Sequence, residues 1–214
     1  MTLVAFGFDG TLIGSDLAVL LGREHGVENE IQGLAEQGPR GEVSLDTTLC
    51  QRGSLLEGMP KARVDAAFDR CALRDGVADL IADLRRSDVS VAIVTGSFER
   101  GVEAVLERAG VAADHVVANR LVMERGALTG DVEGALFNRG RGQVLEELAA
   151  IEGVALGGTF AVGSGATDLP MFYVAGTAIG FDPDPVVEDC CDVVVPSIRK
   201  LRLHFEQRGV ASGP

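Results

Sequence analysis

The sequence predicts an α/β fold: a doubly wound, Rossmann-like parallel sheet with an inserted helical cap and a β-hairpin. Three observations lead there. Short apolar, β-branched runs recur at residues 3–8, 89–95, 160–163, 177–181 and 192–195, and such runs read as strands buried on both faces. Helical patterns lie between them, and strands alternating with helices imply a parallel sheet. Three of the runs end in a glycine-containing turn that opens into a helical pattern. In this architecture ligands gather at the C-terminal ends of the strands.

Each element follows from a local pattern. The first strand, 3–8, begins almost at the N-terminus, with no basic region and no small-residue cleavage site, so no signal peptide and a cytoplasmic location are expected. Residues 15–72 hold helical patterns without an obvious strand. They are expected to form a cap, dividing the chain into a core of residues 1–13 and 73–214 and a cap domain of 14–72. Residues 76–86 place Val77, Leu80, Ile81 and Leu84 on one helical face, with Asp75 as the expected N-cap. The helix over 98–109 is expected to stop at Gly110 as a C′ glycine. Residues 115–132 flank Glu124-Arg125-Gly126 with apolar runs and predict the hairpin. Helical patterns at 142–151 and 167–175 complete the order.

Composition excludes several classes. The net charge of −13 argues against nucleic acid and anionic membranes as partners. No stretch approaches the roughly 20 apolar residues of a membrane span. Lys61 and Lys200 are the only lysines among 19 basic residues, an arginine-weighted, acidic balance expected of a salt-adapted, halophilic cytoplasm, although a GC-rich genome would also favour arginine. Cys50, Cys71, Cys190 and Cys191 lack CxxC spacing and are expected as free thiols.

The chemistry is carried by the three turns: Phe6-Gly7-Phe8-Asp9-Gly10-Thr11-Leu12, Ile93-Val94-Thr95-Gly96-Ser97-Phe98, and Val162-Gly163-Ser164-Gly165-Ala166-Thr167-Asp168-Leu169-Pro170. Glycine turns leading into helices present backbone N–H groups that cradle phosphate. In order, they resemble the DxDGTL signature, strand-end Ser/Thr and GDGxND loop of the haloacid dehalogenase superfamily. Ala118-Asn119-Arg120-Leu121, residues 128–134 and residues 54–60 are similar to phosphoserine phosphatases in particular. The resemblance spans roughly residues 3–207. It implies Mg²⁺-dependent hydrolysis of a small phosphorylated metabolite, phosphoserine, through an aspartyl-phosphate.

Carried over residue by residue, the resemblance makes Asp9 the general acid/base. Thr95 and Gly96 hold the transferring phosphoryl group, and Asp168 is a carboxylate of the metal loop. Arg52 grips the substrate carboxylate. Asp16, one carbon shorter than the family's usual glutamate, reads the substrate amine. Arg141 matches the phosphate-binding lysine, with Arg139 as the competing choice. Read locally, Asp16 is also a potential N-cap, Thr95 a helix cap, and Arg141 and Asp168 helix-start charges.

Four positions depart from the pattern. Gly7 stands at the nucleophilic, metal-binding aspartate, Ser164 at a second metal carboxylate, Thr167 at an asparagine, and Arg141 at the lysine. Glycine cannot form an acyl phosphate. Mg²⁺ wants near-octahedral oxygen coordination anchored on one or two carboxylates. Asp9 and Asp168 remain as donors, so Mg²⁺ is expected to bind weakly or not at all. The family reaction is expected to be severely impaired, the alternative being a non-catalytic phospho-ligand-binding or regulatory protein.

Overall fold

The computed structural model describes residues 1–37, 44–134, 136–137 and 139–211. Residues 38–43 of the expected cap lie outside the described residues. Seven strands form one sheet: β1 (Thr2–Phe6), β2 (Val89–Phe98), β3 (His115–Glu124), β4 (Ala127–Gly134), β5 (Thr159–Gly163), β6 (Thr177–Phe181) and β7 (Val193–Val195). Their spatial order is β4-β3-β2-β1-β5-β6-β7. Every neighbouring pair is parallel except β3–β4, the hairpin.

The strand register explains the apolar runs. Val4, Phe6, Val91, Ile93 and Val162 belong to one buried cluster. Leu3, Ala5, Ala92, Val94 and Ala161 belong to the other. Successive residues therefore point to opposite faces, and both faces are covered. The first cluster packs under α1 (Leu17–His25), α4 (Lys61–Asp69), α5 (Val77–Arg86), α6 (Glu99–Ala109) and α10 (Ile198–Gln207). The second packs under α7 (Arg141–Ile151) and α8 (Leu169–Phe172). The remaining helices are α2 (Glu28–Gln37), α3 (Leu45–Ser54) and α9 (Pro185–Glu188). Among the described residues no helix is long and apolar enough to cross a membrane.

Strand order reverses at β1. Phe6 is paired with Ile93 on one side and Val162 on the other, so the C-terminal ends of β1, β2 and β5 lie side by side. The three glycine turns thereby meet where such sheets bind ligands. The chain leaves and re-enters the sheet side through one antiparallel bridge, Ile13 to Leu73, and a second bridge joins Pro60 to Ala127 of the hairpin. Helix α3 approaches β4 closely: a Cβ on Gly130 would stand 3.3 Å from the Ser54 Cα.

Several expectations are met in detail. Gly110 ends α6 in the left-handed conformation, φ 68°. Arg125 and Gly126 turn the hairpin with φ of 50° and 84°, the positive pair that suits the twist of two-residue loops. Others need correction. Asp75 does not cap α5; Gly76 holds that position at φ 83°, without a side-chain cap bond. Strand β2 runs to Phe98 through a register shift after Val94. The helical pattern at 167–175 splits into a tight turn over Ala166–Asp168 and the four-residue α8, whose first turn holds Pro170, where an N–H would lack a helical partner anyway.

One contact positions the site. A Cβ on Gly142, in the first turn of α7, would overlap the backbone carbonyl of Pro170. Gly142→Ala is therefore expected to push α7 off α8 and destabilise the fold by about 1–3 kcal/mol, lowering Tm by about 2–4 °C per kcal/mol. Thermal unfolding followed by circular dichroism checks this; an unchanged or raised Tm would refute the close packing.

Candidate active site

The first turn is built on an extended residue. Gly7 has φ −64° and ψ 162°, a conformation open to any amino acid, and its N–H donates to the Val162 carbonyl at 2.8 Å. The backbone then coils through residues 8–12. Gly10 needs its φ of 75° and has Ser164 against its α-carbon, a Cβ there falling 2.7 Å from the Ser164 hydroxyl. Asp9, carried by this coil, accepts the Leu17 N–H at 3.1 Å. Burial, then the nearby Asp16 carboxylate, pushes its pKa up to about 7, against the Leu17 N–H, the Ser97 hydroxyl and Arg52. A carboxyl poised there can hold a proton near neutrality.

The second turn presents Thr95, buried, whose hydroxyl oxygen accepts the Ser97 N–H at 3.1 Å. It does not cap α6, whose N-cap is Phe98. The Gly96 carbonyl accepts from Asn119 Nδ2 at 3.1 Å.

The third turn closes around a carboxylate. Asp168 Oδ2 accepts the N–H groups of Ser164 and Gly165 at 2.9 and 3.2 Å. Its Oδ1 is paired with Arg141 Nη1 at 2.5 Å. Gly163 must lack a side chain, since a Cβ would land on the Asp168 carboxylate. Thr11 donates to the Ser164 hydroxyl at 3.2 Å. A Cβ on Gly7 would stand 2.9 Å from Asp168 Oδ1 and 3.3 Å from the Thr11 hydroxyl, so a side chain at position 7 would project into this junction.

The helices facing the sheet add a charged pair. Asp16 caps α1, its Oδ1 accepting the Ala18 and Val19 N–H groups at 2.8 and 3.1 Å. The same oxygen meets Arg52 Nη2 at 2.6 Å. Asp16 is thus the N-cap of α1 and the ion-pair partner of Arg52.

A cavity of about 460 Å³ is lined by Asp9, Asp16, Arg52, Thr95, Gly96, Arg139, Arg141 and Thr167, together with Phe8, Ser97, Phe98 and others. Gly7, Ser164 and Asp168 do not line it; the cavity reaches Asp168 through Arg141. The two candidate arginines are distinguished by partner. Arg141 turns to Asp168, whereas Arg139 pairs with Glu147 further along α7.

Three lining or supporting residues carried no role in the sequence. Asn119 is buried on the cavity wall with its Oδ1 unpartnered; its motif was visible but its bond to Gly96 was not. Thr48 lines the cavity with an unpartnered buried hydroxyl and had no signal. Arg74 donates from Nη2 to the Gly10 carbonyl at 2.9 Å and lies 5.4 Å over the Phe181 ring, bracing the first turn from the chain's re-entry point.

The side chains present do not fit a carboxylate-anchored Mg²⁺ site. Position 7 offers only a main-chain carbonyl and position 164 a hydroxyl, while burial raises the pKa of the Asp9 carboxyl to about 7 and both oxygens of Asp168 already accept hydrogen bonds. Among the described residues, no three His, Cys, Asp or Glu side chains cluster as metal ligands.

With the geometry in place, comparison with known proteins decides the family. A sequence model of the haloacid dehalogenase-like hydrolases matches residues 4–172. The chain belongs to that family. It is 43% identical to a phosphoserine phosphatase of Halobacterium salinarum, over 99% of this chain and 100% of that one. It is 36% identical to the Methanocaldococcus jannaschii phosphoserine phosphatase, over 94% of each. Among solved structures, a substrate-bound phosphoserine phosphatase complex superimposes with a TM-score of 0.88 at 34% identity, covering 95% of this chain and 97% of that one. The seven-stranded α/β fold of this hydrolase is thus that of phosphoserine phosphatases.

Asp9 sets a pH dependence. Its folded pKa of about 7 lies above the ordinary 3.8, so between those values the folded protein holds a proton that the unfolded chain releases. Stability from this group is present below about pH 4 and is lost as pH rises through about 7. Asp9→Asn is therefore expected to match the parent Tm near pH 4 and exceed it increasingly up to pH 8. Paired melting curves at constant salt check this, and a difference independent of pH contradicts it.

Proposed function

We propose that this haloacid dehalogenase-like hydrolase takes a small phosphorylated metabolite, phosphoserine, in the cavity at the strand ends and hydrolyses it slowly or not at all. In this reading residues 14–72 form a cap over a core of 1–13 and 73–214. The Thr95 hydroxyl and the Gly96 N–H hold the phosphoryl group and Arg141 neutralises it. Arg52 grips the ligand's carboxylate, a task suited to a planar guanidinium, and Asp16 reads its amine. Asp9, protonated near neutrality, is the acid/base group.

The observation that carries the reading is position 7. Its α-carbon faces Asp168 and Thr11, where a nucleophile would stand, yet it bears no side chain. By analogy with other covalent catalysts, loss of the nucleophile slows the reaction about 10⁶-fold, or about 8 kcal/mol. Mg²⁺ binding is weak in this proposal, because positions 7 and 164 bring no carboxylate and Asp168 is already paired with Arg141 and two backbone N–H groups. The same closed pair favours a second reading, a non-catalytic phospho-ligand-binding or regulatory protein on this scaffold.

Two measurements test these proposals. Phosphate release from phosphoserine, with Mg²⁺ and adequate salt, is expected below the roughly 1 per second ordinary for enzymes; a rate at or above it sinks the claim that Gly7 disables the site. Gly7→Asp and Ser164→Asp, singly and combined, complete the series. Because both act on one phosphoryl group, the double variant is expected to exceed the product of the single gains. A folded double variant that remains inert would show that the pocket too has diverged. Separately, calorimetry is expected to detect no tight Mg²⁺ binding. Stoichiometric binding abolished by Asp168→Asn would overturn the weak-metal proposal.

A further inference from the structure

We propose that Arg141 is the resident cation of this site, so that a phosphate group binds beside Thr95 and Gly96 without any divalent metal. The inference rests on the reading of the cavity as a phospho-ligand site and adds how its charge is balanced.

A phosphate dianion placed here meets Asp9 on the cavity wall and Asp168 behind Arg141. Some fixed positive charge must offset them. The family pattern implied by the sequence supplies a divalent ion held by carboxylates at positions 7 and 164. This chain has Gly7 and Ser164 there. Removing two carboxylates together with one divalent cation leaves the net charge of the pocket unchanged, so nothing electrostatic requires a metal in its place.

Arg141 has the reach and the donors to take over. Its Nη1 is held by Asp168 Oδ1 at 2.5 Å. Its Nη2 lies 3.2 Å from where a Cβ on Gly96 would be. The guanidinium therefore spans from the third turn to the second, along the wall of the cavity, with its side chain only 15% exposed. A guanidinium carries five N–H donors in a fixed fork, so one bond to Asp168 fixes its position and leaves others for an oxyanion. An ammonium, a point charge with three rotatable donors, does this less well. Asp168, anchored by the Ser164 and Gly165 N–H groups, acts through Arg141 as its positioning residue.

The test is calorimetric titration of the full chain with inorganic phosphate, and separately with phosphoserine, in EDTA and in Mg²⁺. The expected result is that both anions bind in EDTA, with affinities within about twofold of those in Mg²⁺, since a cation already in place leaves little for the metal to add. Arg141→Met is expected to weaken phosphate binding about tenfold or more, the loss of a charge-assisted hydrogen bond. Because that variant strips Asp168 of its partner and is liable to misfold, Arg141→Lys is measured beside it. This variant keeps the charge and is expected to fall between parent and Met. Binding that requires Mg²⁺, or is indifferent to Arg141→Met in a folded variant, overturns the proposal. So does binding of neither anion. Phosphate binding in EDTA without phosphoserine binding upholds it and removes phosphoserine as the ligand. Phosphoserine binding only with Mg²⁺ upholds the ligand and removes the resident cation.

Discussion

A buried carboxylate has to be matched bond for bond, and the Asp168 carboxylate is where three elements of this protein are matched to one another. Its Oδ2 gathers the N–H groups of Ser164 and Gly165, which shapes the turn after β5. Its Oδ1 fixes Arg141 and with it the first turn of α7. Gly163 has no side chain because the carboxylate occupies that space, and Gly142 has none because α7 must lie against Pro170 to deliver Arg141. Removing one member of such a buried pair typically destabilises a protein by about 3–5 kcal/mol, because the charge left behind is unpaired. The third turn and the start of α7 thus hold their relative positions through one ion pair.

The sheet itself was largely readable from the residues, since strands buried on both faces carry uninterrupted apolar runs. Residues 177–181 coincide with β6 and Gly110 stops α6 in the left-handed conformation. Helix entries were harder. Asp75 has a capping side chain, but Gly76 turns the chain with positive φ before α5 starts, a conformation that glycine adopts without steric cost. The resemblance favours Arg141 over Arg139, but local pattern alone does not separate them. They are two residues apart at the entry to α7, and the packing of that helix on α8 decides which one meets Asp168. Asn119 was visible in its motif, yet its bond to Gly96 exists only because β2 continues past its register shift to reach β3.

The helices facing the sheet are held by close approaches rather than by bulk. Gly101 of α6 leaves so little room that a Cβ would fall 2.6 Å from Leu17 and 2.9 Å from the Phe68 ring. That brings α1 and α4 down onto the helix that follows the second turn. Gly53 of α3 approaches β4 in the same manner, 2.8 Å separating its would-be Cβ from the Gly130 carbonyl. The Asp16–Arg52 pair joins the entry of α1 to α3 where both residues line the cavity.

The backbone at Gly7 is extended and leaves the choice of residue to the neighbours. With φ −64° and ψ 162°, this glycine is not demanded by the fold, unlike Gly10 in the same turn. A side chain placed here needs no change of backbone conformation, but it would find Asp168 already committed to Arg141 and only 2.9 Å from its own Cβ. The backbone keeps the position open, and the ion pair beside it limits what can fill it.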